Sequence, residues 1–226
     1  YFGWYGGDVS MYGNWFDTFH KKYPNKAIGM SEYGCEALNW HTSHPEQGDY
    51  TEEYQAYYHE EVIKQIAKRP YLWATHVWNM FDFGVPMWSR GGVPARNLKG
   101  LITFDRKIKK DSYYWYKANW SKDPVLYLTQ RRNIDRERKH TSVTVYSNIG
   151  TPQVYLNGKE LTGIRQGYTD VHYVLADVTL EQGKNTIKTV ATYNGKEYTD
   201  EIEWNYTGEK KRSADWSENK EEHAGW

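Results

Sequence analysis

A short apolar run over residues 27–30 leads directly into a carboxylate, Glu32, and is closed by Gly34. The turn-forming pair Pro24-Asn25 precedes it. Apolar runs of this length between turn signals are typical of buried strands in α/β proteins. In such folds, and in barrels above all, functional groups gather at the carboxyl ends of the strands. A single strand-end Glu pairs more often with a nearby Lys or Arg, so this position alone identifies no role.

The first half of the chain alternates strand-like and helix-like segments, which favours an α/β fold. Apolar residues at helical spacing predict helices over 11–22, 51–68 and 109–120. Strand-like runs cover 27–35 and 71–83, and residues 1–7 have the pattern of a strand end that enters a glycine loop. These β/α units are too few to close an eight-stranded barrel. We therefore expect residues 1–120 to be the C-terminal part of a (β/α)8 TIM barrel that begins outside this chain.

The pattern changes at residues 121–124. Beyond them, short alternating strands separated by turns predict an all-β unit, an immunoglobulin-like β-sandwich over 121–207. Two Asn-Gly pairs, 157–158 and 194–195, are strong hairpin signals because type I′ turns need positive φ at both central residues. Residues 208–226 are charged and poor in aliphatic side chains, which predicts a disordered or loosely docked tail.

Charge and composition exclude some functions and weakly favour one. Lys plus Arg equals Asp plus Glu, 29 each, which gives no electrostatic reason to expect nucleic acid or an acidic membrane as a partner. No window is apolar enough to span a bilayer. The single cysteine, Cys35, excludes an internal disulfide and is interpreted as a packing residue. Aromatic residues make up 17% of the chain, with 11 Trp and 21 Tyr, and such side chains either fill cores or stack on sugar rings.

Three polar or aromatic residues fall at or just beyond the carboxyl ends of successive predicted strands: Glu32, Trp78 and Asn97. With Tyr1 they provide a carboxylate, an indole, an amide and a phenol on one rim. A retaining glycosidase needs such groups around one sugar, as nucleophile, stacking face, hydroxyl contacts and a donor that orients the nucleophile.

The same region resembles the C-terminal part of a glycoside hydrolase family 2 enzyme, most closely a bacterial β-galactosidase. The matching pieces keep their order and spacing over 1–5, 31–34, 53–55, 77–83, 97–101 and 105–107. The family also contains β-glucuronidases and β-mannosidases. The match ends near Trp120, and beyond it the resemblance implies only that such enzymes often append sandwich domains.

The resemblance implies a role for each rim residue. Glu32 would be the catalytic nucleophile, Tyr1 would donate a hydrogen bond to it, Trp78 would form the floor of the sugar site, and Tyr5 would lie near the same pocket. Core packing is the competing interpretation for Tyr1 and Trp78. The family's acid/base Glu has no match in this chain, so we expect that residue upstream and expect the fragment alone to be inactive.

Asn97 and Lys99 bear on which sugar is bound. In β-glucuronidases an Asn-any-Lys pair binds the sugar carboxylate, and an ammonium group suits an anionic substrate. The long loop over 84–96 and the segment 105–120 resemble β-galactosidases more closely, so β-galactosidase is the leading prediction and a β-uronidase the alternative. A Lys99 that points to solvent would fit the galactosidase. A non-catalytic carbohydrate-binding or structural module is the alternative from another class.

Other candidates are given structural roles. Glu36 is interpreted as an ion-paired or supporting residue, and His41 and His44 as solvated loop residues, so no metal site is predicted. The resemblance allows a magnesium or sodium ion whose ligands cannot be identified. A carbohydrate substrate is the expected partner, with no nucleic acid and no membrane, and homo-oligomerisation is left open. The sequence does not indicate a compartment.

Overall fold

The computed structural model of the protein describes residues 1–88 and 93–208, and its first 120 residues form an α/β arrangement. The helices are α1 (Met11–Lys22), α2 (Glu52–Ala67) and α3 (Asp111–Trp120). The strands are β1 (Ile28–Tyr33), β2 (Leu72–Val77), β3 (Phe83–Gly84) and β4 (Arg96–Asn97). All three predicted helices are present, each within two residues of its predicted bounds.

Residues 1–7 do not form the predicted strand end. They fold into a turn in which the Gly3 amide donates to the Gly6 carbonyl at 3.1 Å. The φ angle of Gly3 is 77°, and a side chain there would collide with Val9, so glycine is required. The prediction was wrong because glycines that serve a tight turn and glycines that follow a strand look alike in sequence.

Helix α2 is the central helix of this half. It begins where the Thr51 side chain accepts a hydrogen bond from the Tyr54 amide at 3.3 Å, as an N-cap residue does. Tyr54, Tyr58 and Val62 then follow at helical spacing and are buried. The Tyr58 hydroxyl lies 2.7 Å from that of Tyr12, which fastens α1 to α2.

Strands β1 and β2 pair in parallel, so their carboxyl ends lie at the same edge. The pairing continues one residue past β2, because the Trp78 amide donates to the Tyr33 carbonyl at 2.7 Å. Segment 97–100 joins this edge through the Asn79 amide, which donates to the Lys99 carbonyl at 3.0 Å. Gly34 allows the backbone at Trp78 to approach closely, since a Cβ there would lie 2.0 Å from the Trp78 carbonyl oxygen. Two parallel strands do not themselves establish a barrel, which stays a prediction.

The second half consists of two packed sheets. Its strands are β5 (Leu126–Leu128), β6 (Asp135–Arg136), β7 (His140–Ser147), β8 (Gln153–Leu156), β9 (Lys159–Leu161), β10 (Arg165–Gln166), β11 (His172–Thr179), β12 (Gly183–Tyr193) and β13 (Lys196–Tyr206). One sheet has the order β10-β11-β7-β5 and the other β6-β13-β12-β8-β9. Both contribute to one apolar core around Val145, Ile187 and Trp204. The immunoglobulin-like type stays a prediction.

Both predicted hairpin turns are confirmed. Asn157 and Asn194 each have φ of 51°, and the glycine that follows each of them also has positive φ. Except for Gly208, the predicted tail over 208–226 lies outside the described residues, as does part of the predicted loop, residues 89–92.

An aromatic interface joins the two halves. Tyr114 stacks on Tyr127 with ring centroids 3.8 Å apart, and the fully buried Trp115 meets Tyr146 at 5.3 Å. The Tyr127 hydroxyl donates to the Asp111 carboxylate at 2.6 Å. These four aromatic residues serve packing between the halves, so aromatic content alone does not indicate sugar binding.

Candidate active site

An open pocket of about 290 Å³ lies at the carboxyl edge of β1 and β2. It brings together all six residues predicted for the site, which are Tyr1, Tyr5, Glu32, Trp78, Asn97 and Lys99. Phe83, Val85 and Trp88 complete its lining. These nine residues come from four separate parts of the chain, so only the folded structure creates the pocket.

Glu32 is the penultimate residue of β1 and is half-buried. Among the described residues that line the pocket, it is the only carboxylate. Burial, followed by hydrogen bonding with Glu32 and the charge of this carboxylate, raises the pKa of the Tyr1 phenol. Tyr1 therefore stays protonated at neutral pH and can donate to the ionised carboxylate.

Trp78 follows β2 directly and is 38% exposed in this chain. Its ring meets that of Phe83 edge to face, with centroids 5.8 Å apart and an interplanar angle of 85°. The peptide bond between Trp78 and Asn79 is cis. The indole is thus held at the rim of the pocket with part of its surface open, as a sugar-stacking residue would need.

Lys99 is only 2% exposed, so the solvent-pointing lysine considered for the galactosidase interpretation is wrong. Its ammonium group donates to the Tyr5 hydroxyl at 2.7 Å. It also lies 4.1 Å from the centroid of the Tyr1 ring and 4.3 Å from that of Tyr5, within cation–π distance. An ammonium group carries three N–H donors, and Tyr5 accepts one of them. The pocket therefore holds a buried positive charge with capacity to bind an anion.

Segment 97–100, which presents Lys99, is held by two carboxylates outside it and by the side chain of its own Asn97. The Glu36 carboxylate accepts from the Leu98 amide at 3.1 Å, the supporting type of role predicted for this residue. Asp82 accepts from the Gly100 amide at 2.8 Å. Asn97 is 3% exposed, and its side-chain oxygen accepts from the Lys99 amide at 3.0 Å. The backbone beneath the ammonium group is thus fixed at three successive residues.

Asp82 and Lys110 form a buried ion pair behind this segment, with 3.0 Å between the Lys110 ammonium and the carboxylate. The ammonium also donates to the carbonyls of Ala37 and Leu98, at 2.9 and 3.0 Å. Burial lowers the pKa of Lys110 and raises that of Asp82, and each partner opposes the shift of the other. Neither Asp82 nor Lys110 was among the predicted site residues. Asp82 lies inside the motif at 77–83, and this motif could have indicated that Asp82 lies near the site.

The remaining candidates lie away from the pocket. His41 and His44 are exposed in the loop after β1, as predicted. Cys35 is fully buried, and burial raises the pKa of its thiol. Within residues 1–88 and 93–208, no three His, Cys, Asp or Glu side chains are grouped so that they could hold a metal ion. In the same ranges, no helix combines the length and apolarity that a membrane crossing requires.

Similar proteins are known along nearly the whole chain. A β-glucuronidase from Bacteroides fragilis is 38% identical over 219 residues. The crystal structure of a putative β-galactosidase from the same species superposes with a TM-score of 0.91 at 58% identity. That of an FMN-binding β-glucuronidase from Faecalibacterium prausnitzii L2-6 superposes with a TM-score of 0.81 at 45% identity. No protein-family model matches the sequence.

These matches cover most of this chain but only a minor part of each similar protein. They cover 91%, 94% and 91% of this chain, in the order given above, but only 30%, 33% and 31% of the similar proteins. The chain thus spans about a third of their length. All three similar proteins bear the names of β-glycosidases.

Proposed function

We propose that this chain is the C-terminal part of a retaining β-glycosidase of glycoside hydrolase family 2. Residues 1–120 would complete a TIM barrel, and residues 121–207 would form an immunoglobulin-like sandwich behind it. One observation carries the proposal: Glu32, at the end of a buried strand, shares a pocket with Tyr1, Trp78 and Lys99. The names of the similar proteins support the same class of activity.

In the proposed mechanism Glu32 attacks the anomeric carbon of a sugar that stacks on Trp78. The glycosidic bond breaks as a carboxylic acid protonates the leaving oxygen, and a glycosyl-enzyme ester forms. Water then attacks the same carbon, gives its proton to the second carboxylate and releases Glu32 with net retention. Tyr1 orients the nucleophile. Retention needs the second carboxyl about 5 Å from the first, and we assign it to a part of the protein outside this chain.

The pocket favours an anionic sugar, so a β-glucuronide is the substrate class that the geometry supports best. Lys99 is buried beside Tyr5, and removing a charge from water costs free energy unless an opposite charge or good acceptors replace the water. A uronate carboxylate would provide both the charge and the acceptors. Asn97 lines the same pocket as Lys99.

A β-galactoside is the second candidate. Its support is the 58% identity to the B. fragilis crystal structure, which is higher than the identity to either β-glucuronidase. Assay of the intact protein with nitrophenyl glucuronide and nitrophenyl galactoside separates the two. A preference for the glucuronide of at least about tenfold in kcat/KM supports the anionic substrate, and the opposite preference assigns the galactoside.

Substitution Glu32→Gln in the intact protein tests the enzyme class itself. Loss of the nucleophile is expected to lower kcat by at least about a thousandfold, while sugar affinity measured by calorimetry stays within a few-fold. Glu201→Gln, which changes an exposed carboxylate on β13, is the matched control and should leave both unchanged. A wild-type protein that binds sugar but hydrolyses neither glycoside would instead be a carbohydrate-binding module.

A further inference from the structure

Gln55, in the first turn of α2, has a fully buried side-chain amide that the proposed mechanism does not use. Its nitrogen donates to the Cys35 carbonyl at 3.0 Å and to the Gly100 carbonyl at 3.3 Å. Its oxygen accepts from the Ser112 hydroxyl at 2.7 Å. The burial and these contacts all arise from residues of this chain.

The two carbonyls that Gln55 binds belong to the two segments that present Glu32 and Lys99. Cys35 follows the predicted nucleophile, Glu32, by three residues, and Gly100 directly follows Lys99. Both Glu32 and Lys99 line the pocket. One amide group thus holds the backbone that carries the carboxylate and the backbone that carries the ammonium.

The chemistry of the three partners fixes the Gln55 amide in one orientation. Carbonyl oxygens only accept hydrogen bonds, so the NH2 group must face Cys35 and Gly100. The Ser112 hydroxyl, itself fully buried on α3, supplies the donor that the amide oxygen needs. A reversed amide would place its oxygen against two carbonyl oxygens, which would repel it. Gln55 therefore bridges the two segments in a defined geometry.

Gly100 is held at both of its backbone polar groups. Its N–H donates to the Asp82 carboxylate at 2.8 Å, and its carbonyl accepts from Gln55 at 3.3 Å. A Cβ at Gly100 would lie 2.0 Å from the Asp82 amide nitrogen, so the backbone is closely packed here. Asp82 thus fixes segment 97–100 to the motif at 77–83, whereas Gln55 fixes it to the backbone that follows the nucleophile.

We propose that Gln55 is a positioning residue that sets the distance between the Glu32 carboxylate and a sugar held against segment 97–100. This inference rests on the proposed glycosidase function. Attack requires the carboxylate oxygen and the anomeric carbon to lie about 3–3.5 Å apart, and a displacement of about 1 Å can lower the rate by about a hundredfold. Buried hydrogen bonds keep their strength because bulk water does not compete with them. The Gln55 amide is therefore suited to hold this distance.

Gln55→Met in the intact protein tests the proposal, because methionine keeps the length of the side chain and removes both donors. The substrate is whichever of nitrophenyl glucuronide and nitrophenyl galactoside the wild type hydrolyses faster. We expect kcat to fall by about tenfold while KM changes by less than about threefold, since Glu32 shifts but the sugar contacts remain.

Gln65→Met is the matched control. Gln65 lies in the same helix, is 8% exposed and donates to the carbonyls of Val9 and Glu61 at 2.9 and 3.1 Å. None of these three residues lines the pocket of Glu32. Its loss should lower the unfolding midpoint, as the loss of Gln55 should, but change kcat by less than about twofold. An equal fall of kcat in both variants would overturn the positioning role.

Rescue by azide separates positioning of the nucleophile from general support. In Glu32→Ala, azide attacks the anomeric carbon, and the new C–N bond forms as the bond to nitrophenolate breaks, so no carboxylate has to be placed. Adding Gln55→Met should then lower the rescued rate by less than about twofold. A loss of about tenfold that persists with azide would show that Gln55 only supports the pocket, and the glycosidase proposal would stand.

Ser112→Ala is a milder variant, which applies if Gln55→Met does not fold. It removes only the hydroxyl that orients the Gln55 amide, so kcat should fall by about threefold while the azide-rescued rate stays the same. An unchanged kcat would contradict the positioning role. A wild-type protein that hydrolyses neither glycoside overturns the glycosidase proposal, and the catalytic role of Gln55 fails with it.

Discussion

The ammonium group of Lys99 donates a 2.7 Å hydrogen bond to the hydroxyl of Tyr5, although 94 residues separate them in sequence. The contact ties segment 97–100 to the turn at residues 1–7. It also keeps a positive charge inside the pocket that contains Glu32. The ammonium also lies 4.1 and 4.3 Å from the ring centroids of Tyr1 and Tyr5, and an anionic sugar would add an opposite charge to these contacts.

Lys99→Met should therefore change the selectivity between sugars more than the stability of the fold. Loss of a charge-assisted hydrogen bond to a uronate is expected to lower kcat/KM for nitrophenyl glucuronide by about ten- to a hundredfold. The value for nitrophenyl galactoside should change by less than about threefold, since this sugar has no carboxylate to lose. Steady-state kinetics on the intact protein measures both.

The control for this change is Lys107→Met. The Lys107 side chain is 81% exposed and lies 3.9 Å from Asp105, so its removal should alter neither substrate. Equal losses on glucuronide and galactoside in Lys99→Met would mean that Lys99 only supports the pocket wall.

Tyr1→Phe should slow the chemical step. The phenol interacts with the Glu32 carboxylate, and the ring also lies 4.1 Å from the Lys99 ammonium. Phenylalanine keeps the ring and its cation–π contact but removes the donor, so kcat should fall by about ten- to a hundredfold while KM changes little. An unchanged kcat would remove the orienting role from Tyr1.

Lys110→Met should destabilise the fold. The Lys110 side chain is fully buried, and its loss leaves Asp82 charged and unpaired, which typically costs about 3–5 kcal/mol. Denaturant unfolding of the intact protein measures the change. The double variant Lys110→Met/Asp82→Asn should lose less stability than the single variant, because the uncompensated charge is gone. A double variant less stable than Lys110→Met would contradict this explanation.

Glu60→Gln should reduce the loss of stability that occurs as the pH rises from about 5 to about 8. Burial raises the pKa of Glu60 to about 8, against hydrogen bonding from Tyr146, and Asp111 and Glu61 add to the rise. His172 lies 3.8 Å away, and burial lowers its pKa to about 4, so it stays neutral in this range. A carboxyl group whose pKa is higher in the folded state than in the unfolded state contributes stability at pH values below the unfolded-state pKa. That contribution is lost as the pH rises through the folded-state pKa.

The expected difference is therefore small near pH 5 and grows with pH up to about 8. The variant should gain on the wild type by on the order of 1 kcal/mol per pH unit. Unfolding midpoints of both proteins at several pH values measure this trend, with Glu201→Gln as an exposed control. A difference that is constant with pH would show that Glu60 is already ionised in the folded state.

Local patterns made much of the fold predictable. Helix α2 could be placed because an N-cap residue, Thr51, precedes apolar residues at helical spacing. The hairpins at Asn157 and Asn194 follow from the φ angles that their turns require. The two-residue strands had no such signal; β6, for example, is defined by its pairing with β13, which lies far away in sequence.

The candidate pocket contains the residues that the motifs predicted, but the surroundings of those residues could not be predicted from the sequence. Motifs located Glu32, Trp78 and Lys99, yet the burial of Lys99 depends on Tyr5 at the other end of the α/β half. Aromatic content was misleading for a related reason, since composition cannot distinguish Trp115 in the interface from Trp78 at the rim.

In segment 97–100, the residues that hold the backbone are different from the residue whose side chain enters the pocket. Glu36 and Asp82 hold backbone amides, so they stabilise the segment whatever side chain stands at position 99. A chain built this way can exchange one residue in the pocket without refolding its surroundings. Under the proposed function, position 99 is therefore where a single substitution would change selectivity between charged and neutral sugars.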